Sequence, residues 1–275
     1  MSLIIPFTKS LKATKPSLPI VIGFFDGIHK GHLKLFKNLK NNKFNILTFV
    51  NVPGKHNNFI YDDKQRVNNL KSLSPNIVYV LDLKKNNMQT MAFVYHLQQY
   101  VKPTHIVVGS DFKFGRNRIG NVNQLKKYFN IKIIPIDSKY KTSQVKSLLA
   151  SGSIDKANSI LFKPYTITGK VKHGQHLGFK LGYRTANVAL TDNVIQPKEG
   201  SYSGYTYVKL KKYKSAIFIR NHLAETHIFN FDKNIYGRTI SIELVKYHKP
   251  FSKTNSFNEL KDTINKKVKD IKLTF

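Results

Sequence analysis

Apolar residues are arranged along this chain in two regimes, and the change between them comes near Pro164. Before it, short continuous apolar runs recur: Ile20–Phe25, Ile46–Val50, Ile77–Leu83, His105–Gly109 and Ile131–Ile136. Unbroken runs of this length suit strands buried on both faces of a parallel sheet. Between them lie stretches of helical period. Leu33, Phe36 and Leu39 share one face, Met88–Tyr100 reads as a helix, and Gln144–Ala150 reads as another, opened by Thr142-Ser143 and stopped at Gly152. A last helical stretch, Ile154–Leu161, ends at Pro164. Strands alternating with helices predict a doubly wound α/β domain with a parallel sheet. In such sheets ligands bind beyond the carboxyl ends of the strands.

After Pro164 the period becomes two. Tyr165–Val171, Tyr205–Leu210 and Thr239–Val245 alternate, with shorter strands at Ser215–Arg220 and Thr226–Phe231. This predicts an antiparallel all-β domain that can close as a barrel. Phe257–Leu273 returns to helical spacing, with Leu260, Ile264, Val268 and Ile271 on one stripe that needs a packing partner. The expected division is therefore residues 1–161 and 162–275, a nucleotide domain followed by a β-barrel with a terminal helix.

Composition narrows the classes. The chain has 275 residues, room for one large domain or two modest ones, with 41 % of them hydrophobic, enough for a packed core, and no cysteine. Disulfides and thiolate metal sites are excluded, and a reducing cytoplasm fits. No apolar run approaches the ~18 residues of a membrane span, and Ser2–Phe7 is too short and too soon broken by proline for a signal peptide. Lys and Arg number 46 against 15 Asp and Glu, a formal charge of +31. A polyanion partner, nucleic acid or nucleotide phosphate, is one reading of that excess. The scattering of the lysines, in a chain rich in Lys, Asn, Ile, Tyr and Phe, fits a solvated surface and coding bias better. No specific nucleic acid is expected.

Three loops at the ends of the predicted parallel strands carry polar chemistry. Gly23-Phe24-Phe25-Asp26-Gly27-Ile28-His29-Lys30-Gly31-His32 places two histidines three apart at the opening of a helix. Both rings can face one point. Gly31 leaves room for a ligand, and the helix N-terminus offers free N–H donors. The assembly suits a triphosphate, whose transfer asks mainly for placed donors. It suits a metal less, for want of a third ligand nearby. Val108–Asn121 mixes glycines, aromatics and bases; Phe112 and Phe114 can face a flat ring and Arg116 can grip a phosphate. A solvated basic turn fits that composition equally. Lys141–Lys146 contains Thr142 and Ser143 as caps, with Lys146 one turn in, where it reaches either a phosphate or solvent.

In the second half, Gly174-Gln175-His176-Leu177-Gly178-Phe179-Lys180-Leu181-Gly182 runs into Tyr183-Arg184-Thr185-Ala186-Asn187. Gly174, Gly178 and Gly182 allow backbone N–H groups to meet phosphate. Thr185 and Asn187 are two apart and point the same way if extended. Their oxygens can complete the shell of Mg²⁺, which takes few protein ligands. A polar surface loop is the plain alternative.

Taken together these motifs resemble the prokaryotic bifunctional riboflavin kinase/FMN adenylyltransferase (FAD synthetase) family. Phe25-Asp26-Gly27 followed by His29-x-Gly31-His32, then Gly109-Ser110-Asp111-Phe112-Lys113-Phe114-Gly115, then Thr142-Ser143-x-Val145-Lys146, resembles its adenylyltransferase module. The stretch ending Thr185-Ala186-Asn187, and Ala224-Glu225-Thr226-His227 running on to Ile235-Tyr236-Gly237, resemble its kinase module. The resemblance implies ATP-dependent phosphorylation of riboflavin to FMN and adenylylation of FMN to FAD, with Mg²⁺ serving both. It implies that Gly23, Phe25, Asp26, His29, Gly31, His32, Thr142, Ser143 and Lys146 bind one ATP. Asp111, Phe112, Phe114 and Arg116 would place the flavin, and Gly174, Gly178, Gly182, Thr185 and Asn187 would bind the second ATP with its metal. Glu225 would be the base for the ribityl hydroxyl. Four departures stand out. Phe24 replaces asparagine, Lys146 replaces arginine, Arg184 replaces the proline before Thr-Ala-Asn, and the segment between Ile217 and Glu225 is short. They predict weakened adenylylation and leave phosphorylation less secure than the fold.

Overall fold

The computed structural model describes residues 2–8, 17–39, 43–54, 58–173, 183–251 and 256–275. Contacts divide it into two compact units, residues 1–56 with 61–142, and residues 57–60 with 143–275.

The first unit contains β1 (Leu3–Pro6), β2 (Ile20–Ile22), α1 (Lys30–Phe36), β3 (Asn45–Val50), α2 (Asp63–Leu70), β4 (Ile77–Asp82), α3 (Thr90–His96), β5 (Ile106–Gly109), β6 (Lys113–Phe114), β7 (Gly120–Asn121), α4 (Val122–Lys126) and β8 (Ile131–Ile134). Six strands form a sheet in the order β1-β4-β3-β2-β5-β8, and every pair in it is parallel. Successive residues feed opposite faces, as a strand requires. Ile20, Ile22, Leu47 and Val108 join Phe93, Phe114 and Leu125 in one cluster. Val21, Ile46 and Val107 join Phe36 and Leu70 in the other. All five predicted parallel strands are present.

Two elements go beyond the expectation. β1 is a four-residue edge strand ending in proline, too short to announce itself by pattern. Helix α2, Asp-Lys-Gln-Arg-Val-Asn-Asn-Leu, has only Val67 and Leu70 as apolar residues, and the rest of its buried face is Arg66. Apolar periodicity cannot find a helix that buries an arginine. Predicted helix Met88–Tyr100 is present as α3, continued by a wider π-turn over Leu97–Val101.

The second unit takes up α5 (Thr142–Ser151) from its second residue onward, then α6 (Ile154–Ile160), β9 (Thr166–Lys170), β10 (Ala186–Ala189), β11 (Gly200–Val208), β12 (Lys211–Arg220), β13 (Leu223–Ile228), β14 (Thr239–Lys249) and α7 (Phe257–Lys272). The sheet order is β10-β13-β12-β11-β14-β9, antiparallel throughout. Its two edges meet at a single bridge, where Lys172 N–H donates to the Asn187 carbonyl at 2.9 Å, so the sheet closes as a near-barrel. Gly169 permits that approach: a Cβ there would lie 2.6 Å from Val188 Cγ1. Helix α7 lays Val268 and Ile271 on Ala216 and Phe218, as its apolar stripe predicts.

The contact boundary falls at Thr142/Ser143 rather than at Pro164. One reason is Asn158 of α6, whose amide donates to the Leu244 carbonyl and whose oxygen accepts from Tyr165 N–H, both at 2.8 Å. A second reason concerns residues 57–60. Phe59 pairs in parallel with Val194, exchanging bonds with Asn193 and Ile195 at 2.8 and 2.6 Å.

The short segment before Glu225 is a two-residue hairpin. Arg220 pairs with Leu223, and Asn221 (φ 48°) and His222 (φ 57°) both take left-handed conformations. That is the turn which follows strand twist, and its favoured sequence is Asn-Gly. His222→Gly should therefore raise the free energy of unfolding by about 0.5–1 kcal/mol, read as a higher denaturant midpoint with unchanged slope. An unchanged or lower midpoint would contradict this account of the turn.

Candidate active sites

Each unit gathers one set of the residues singled out from sequence. In the first, β2 runs into Gly23, whose N–H donates to the Leu47 carbonyl at 3.1 Å. A Cβ on Gly23 would sit 2.6 Å from Phe25 Cζ, so the ring fills the space that glycine leaves. Phe25 itself is left-handed at φ 55°, which turns its ring inward against His32 and Phe36, at centroid distances of 5.4 and 5.6 Å. His29 then caps α1: its Nδ1 accepts from His32 N–H at 3.3 Å. The His29 and His32 rings stack at 3.7 Å, 21° from parallel.

These bonds fix the tautomers. His29 Nδ1 is an acceptor, so its Nε2–H donates, to Thr142 Oγ1 at 3.3 Å. Thr142 donates in turn to the Asp26 carbonyl at 3.4 Å. His32 Nδ1–H donates to the Gly27 carbonyl at 3.2 Å. Burial lowers the His29 pKa to about 4 against the pull of Asp137. Burial, then the neighbouring His29, lowers that of His32 to about 3, opposed by its bond to Gly27. Both are neutral at physiological pH. The need for glycine at position 31 differs from the expectation of room for a ligand: a Cβ there would lie 2.7 Å from the Tyr140 carbonyl. Ser143 and Lys146 fall in the second unit instead, where Ser143 is exposed and Lys146 lies over the Phe59 ring at 5.9 Å.

One residue of this site escaped the sequence. Arg66, 1 % exposed, donates from Nη1 to the Phe24 carbonyl and to Thr48 Oγ1, and from Nη2 to the Phe49 carbonyl and Asp63. Thr48 Oγ1 donates to the same Phe24 carbonyl at 3.2 Å. The guanidinium lies 4.1 Å from the centroid of the Phe24 ring. Phe24 is thus clamped at both carbonyl and ring. The only sequence signal was the Asp63–Arg66 spacing of one helical turn.

The second loop follows β5. Asp111 and Arg116 are exposed, Phe112 is half-buried, and Phe114 is buried. Phe114 packs on Phe93 at 5.1 Å and lies nearly parallel to Phe112 at 6.0 Å, so it supports the ring that Phe112 presents. Arg116 is tied to the start of α3 by its N–H to the Met88 carbonyl at 2.7 Å and its Nε to Asn87 at 3.3 Å.

In the second unit, β10 and β13 pair with Asn187 opposite Glu225, and β12 brings Phe218 to the other side of Glu225. Residues directly opposite share a face with Cβ atoms about 5 Å apart. Glu225 is half-buried, and burial raises its pKa. Asn187 is 5 % exposed, and its Oδ1 has no hydrogen-bond partner among the described residues. Asn187 and Thr185 line a cavity of about 370 Å³ together with Arg184, Thr226, Asp232 and Tyr236. Glu225 is not in that lining; it adjoins the cavity through Asn187. Gly174, Gly178 and Gly182 lie outside the described residues.

Both halves of the chain match known families. Residues 161–275 match the riboflavin kinase family model, and residues 11–147 match that of FAD synthetase. The chain belongs to the bifunctional riboflavin kinase/FMN adenylyltransferase family. It carries both transferase domains. A bifunctional riboflavin kinase/FMN adenylyltransferase of Mycoplasma pneumoniae is 29 % identical, over 93 % of this chain and 97 % of that one. The trifunctional protein RibF/MnmA of Mycoplasmoides gallisepticum is 36 % identical over 96 % of this chain, which spans 41 % of that longer protein. A crystal structure titled macrolide-efflux protein from Streptococcus pneumoniae aligns with a TM-score of 0.81, at 25 % identity, covering 98 % of this chain and 99 % of that one. Among the described residues, no helix is long and apolar enough to cross a membrane.

Two outcomes test this geometry. Arg66→Met strips donors from four acceptors, the Phe24 and Phe49 carbonyls, Thr48 Oγ1 and Asp63, and removing one partner of a buried ionic network costs roughly 3–5 kcal/mol. Its melting temperature should fall, and synthesis of FAD from FMN should fall more than synthesis of FMN. The histidine pKa values are depressed in the fold. Their contribution to stability is therefore complete above about pH 6.5 and is lost as pH falls through 4 and then 3. His29→Asn/His32→Asn should show a flatter decline of unfolding free energy below pH 6.5 than the parent; parallel curves would count against buried neutral rings.

Proposed function

We propose that residues 162–275 phosphorylate riboflavin and residues 1–161 adenylylate the resulting FMN, each with its own ATP. The observation that carries the kinase half is Asn187, whose buried oxygen has no partner among the described residues, set in register beside a half-buried carboxylate on the next strand. An oxygen left bare in that position fits a cation, and Thr185 and Asn187 are the residues that would hold Mg²⁺. When bound, the ion neutralises phosphate charge. Glu225 accepts the proton of the ribityl 5′-hydroxyl as that oxygen attacks the γ-phosphorus of ATP and ADP leaves. Its raised pKa makes it the stronger base.

In the other half, a phosphate oxygen of FMN attacks the α-phosphorus of ATP, and pyrophosphate leaves. The His29 Nε2–H that rests on Thr142 re-aims at the phosphates. His32, its Nδ1–H held by Gly27, donates from Nε2 once the approaching polyanion raises its pKa and it takes up a proton. Phe112, backed by Phe114, supplies a flat face for the isoalloxazine ring, with Asp111 and Arg116 beside it. Gly23, Phe25, Asp26 and Gly31 shape the loop. A cysteine-free chain that consumes ATP, riboflavin and FMN fits the cytoplasm.

A chromatographic time course from riboflavin, beside one from FMN, tests both halves. The parent should carry riboflavin through FMN to FAD. Glu225→Gln should slow the first step by roughly 10²-fold or more and leave the second intact. His29→Ala should do the reverse. Loss of both steps in either variant, with the fold retained, would refute the division.

A further inference from the structure

Arg184 stands where the family carries proline, and that exchange reads from sequence as damage to phosphorylation. Its surroundings assign it a different part. Arg184 lines the same cavity as Thr185 and Asn187. Its Nη1 donates to the Asp232 carbonyl at 2.9 Å, and its own carbonyl accepts from His227 Nδ1 at 2.9 Å. The preceding residue is fixed as well, since the Tyr183 hydroxyl donates to Asn265 of α7 at 2.8 Å and its ring meets His227 edge-on at 4.9 Å. An exposed arginine is ordinarily free to sample many rotamers. Here the backbone is pinned on both sides and the guanidinium is tied at one corner.

A guanidinium carries five N–H donors in a rigid fork. One is engaged by Asp232, and the others have no hydrogen-bond partner among the described residues. They stand at the wall of a cavity whose neighbouring residues offer a bare oxygen toward a cation. A cation bound by Asn187 and a guanidinium on the same wall form a two-pronged receptor for a polyphosphate chain, the metal on one set of oxygens and the fork on another. Proline offers neither charge nor donor.

We propose that Arg184 is a binding residue for the polyphosphate of the ATP used in riboflavin phosphorylation. The inference rests on the reading that this cavity is the kinase nucleotide site. A fork engaged with the ground-state polyphosphate acts on KM more than on kcat.

The test compares Arg184→Pro, Arg184→Met and Arg184→Lys in the full chain. Steady-state phosphorylation is measured at varied ATP, and adenylylation from FMN reports on the other unit. Arg184→Pro and Arg184→Met should raise the kinase KM for ATP roughly tenfold, with kcat and the KM for riboflavin little changed and adenylylation unaltered. Arg184→Lys should fall between. Arg184→Met guards against a backbone effect of proline. If Arg184→Met keeps the parent KM for ATP, or if Arg184→Pro improves it, the proposal fails. Asn187→Ala separates that failure from failure of the site. Should it abolish phosphorylation while Arg184→Met does nothing, the cavity stands and only the role of Arg184 falls. Should phosphorylation survive Asn187→Ala, the cavity is not the kinase site and both fall.

Discussion

Strand register is the constraint on which both sites depend. In the second unit Asn187 and Glu225 do not bond to one another; they share a face only because β10 and β13 pair residue for residue across Ala186–Ala189. A slip by one position would turn Glu225 away from Asn187 and bring Thr226, now fully buried, to its place. The hairpin from β12 to β13 holds that register with two left-handed residues, leaving no slack for an alternative pairing. In the first unit the parallel alignment of β2, β3 and β5 plays the same part. It delivers Gly23, Val50 and Gly109 to one end of the sheet, where the loops begin.

The departures from the family pattern look different in this light. Phe24 is not an idle apolar substitution, because its ring is the surface on which Arg66 lies. The arginine satisfies two strand-end carbonyls and Asp63 while stacked there. A buried charge of this kind needs several partners to be tolerated at all, and the loop is one of them. Likewise Arg184 is held by Asp232 rather than loose in solvent.

Much of this was legible in the sequence because the period of the apolar residues changes cleanly, from continuous runs to alternation. Parallel strands β2, β3, β4, β5 and β8 and five of the six antiparallel strands, β9, β11, β12, β13 and β14, follow from that change, and helix α7 from the return of helical spacing. His29 and His32 were legible as a pair because helical spacing fixes their neighbourhood. What escaped did so for physical reasons. Helix α2 buries Arg66 where a pattern expects an apolar residue, and β1 is an edge strand of four residues. Strand β10 was concealed inside a glycine-rich stretch, so only the two-residue spacing of Thr185 and Asn187 hinted at extension. Sequence also does not tell the buried ring of Phe114 from the half-buried ring of Phe112 stacked on it.

The excursion of residues 57–60 makes the chain indivisible in a specific sense. Phe59 pairs with Val194 across a separation of well over one hundred residues, so a piece of polypeptide from the adenylylating half completes the backbone bonding of the phosphorylating half. The two catalysts are consecutive in the gene and interleaved in the molecule. Fission of such a gene between the halves would leave the later product with bare backbone groups at Asn193 and Ile195. A cut placed at the change of sequence pattern would therefore not coincide with a break in the backbone hydrogen bonding.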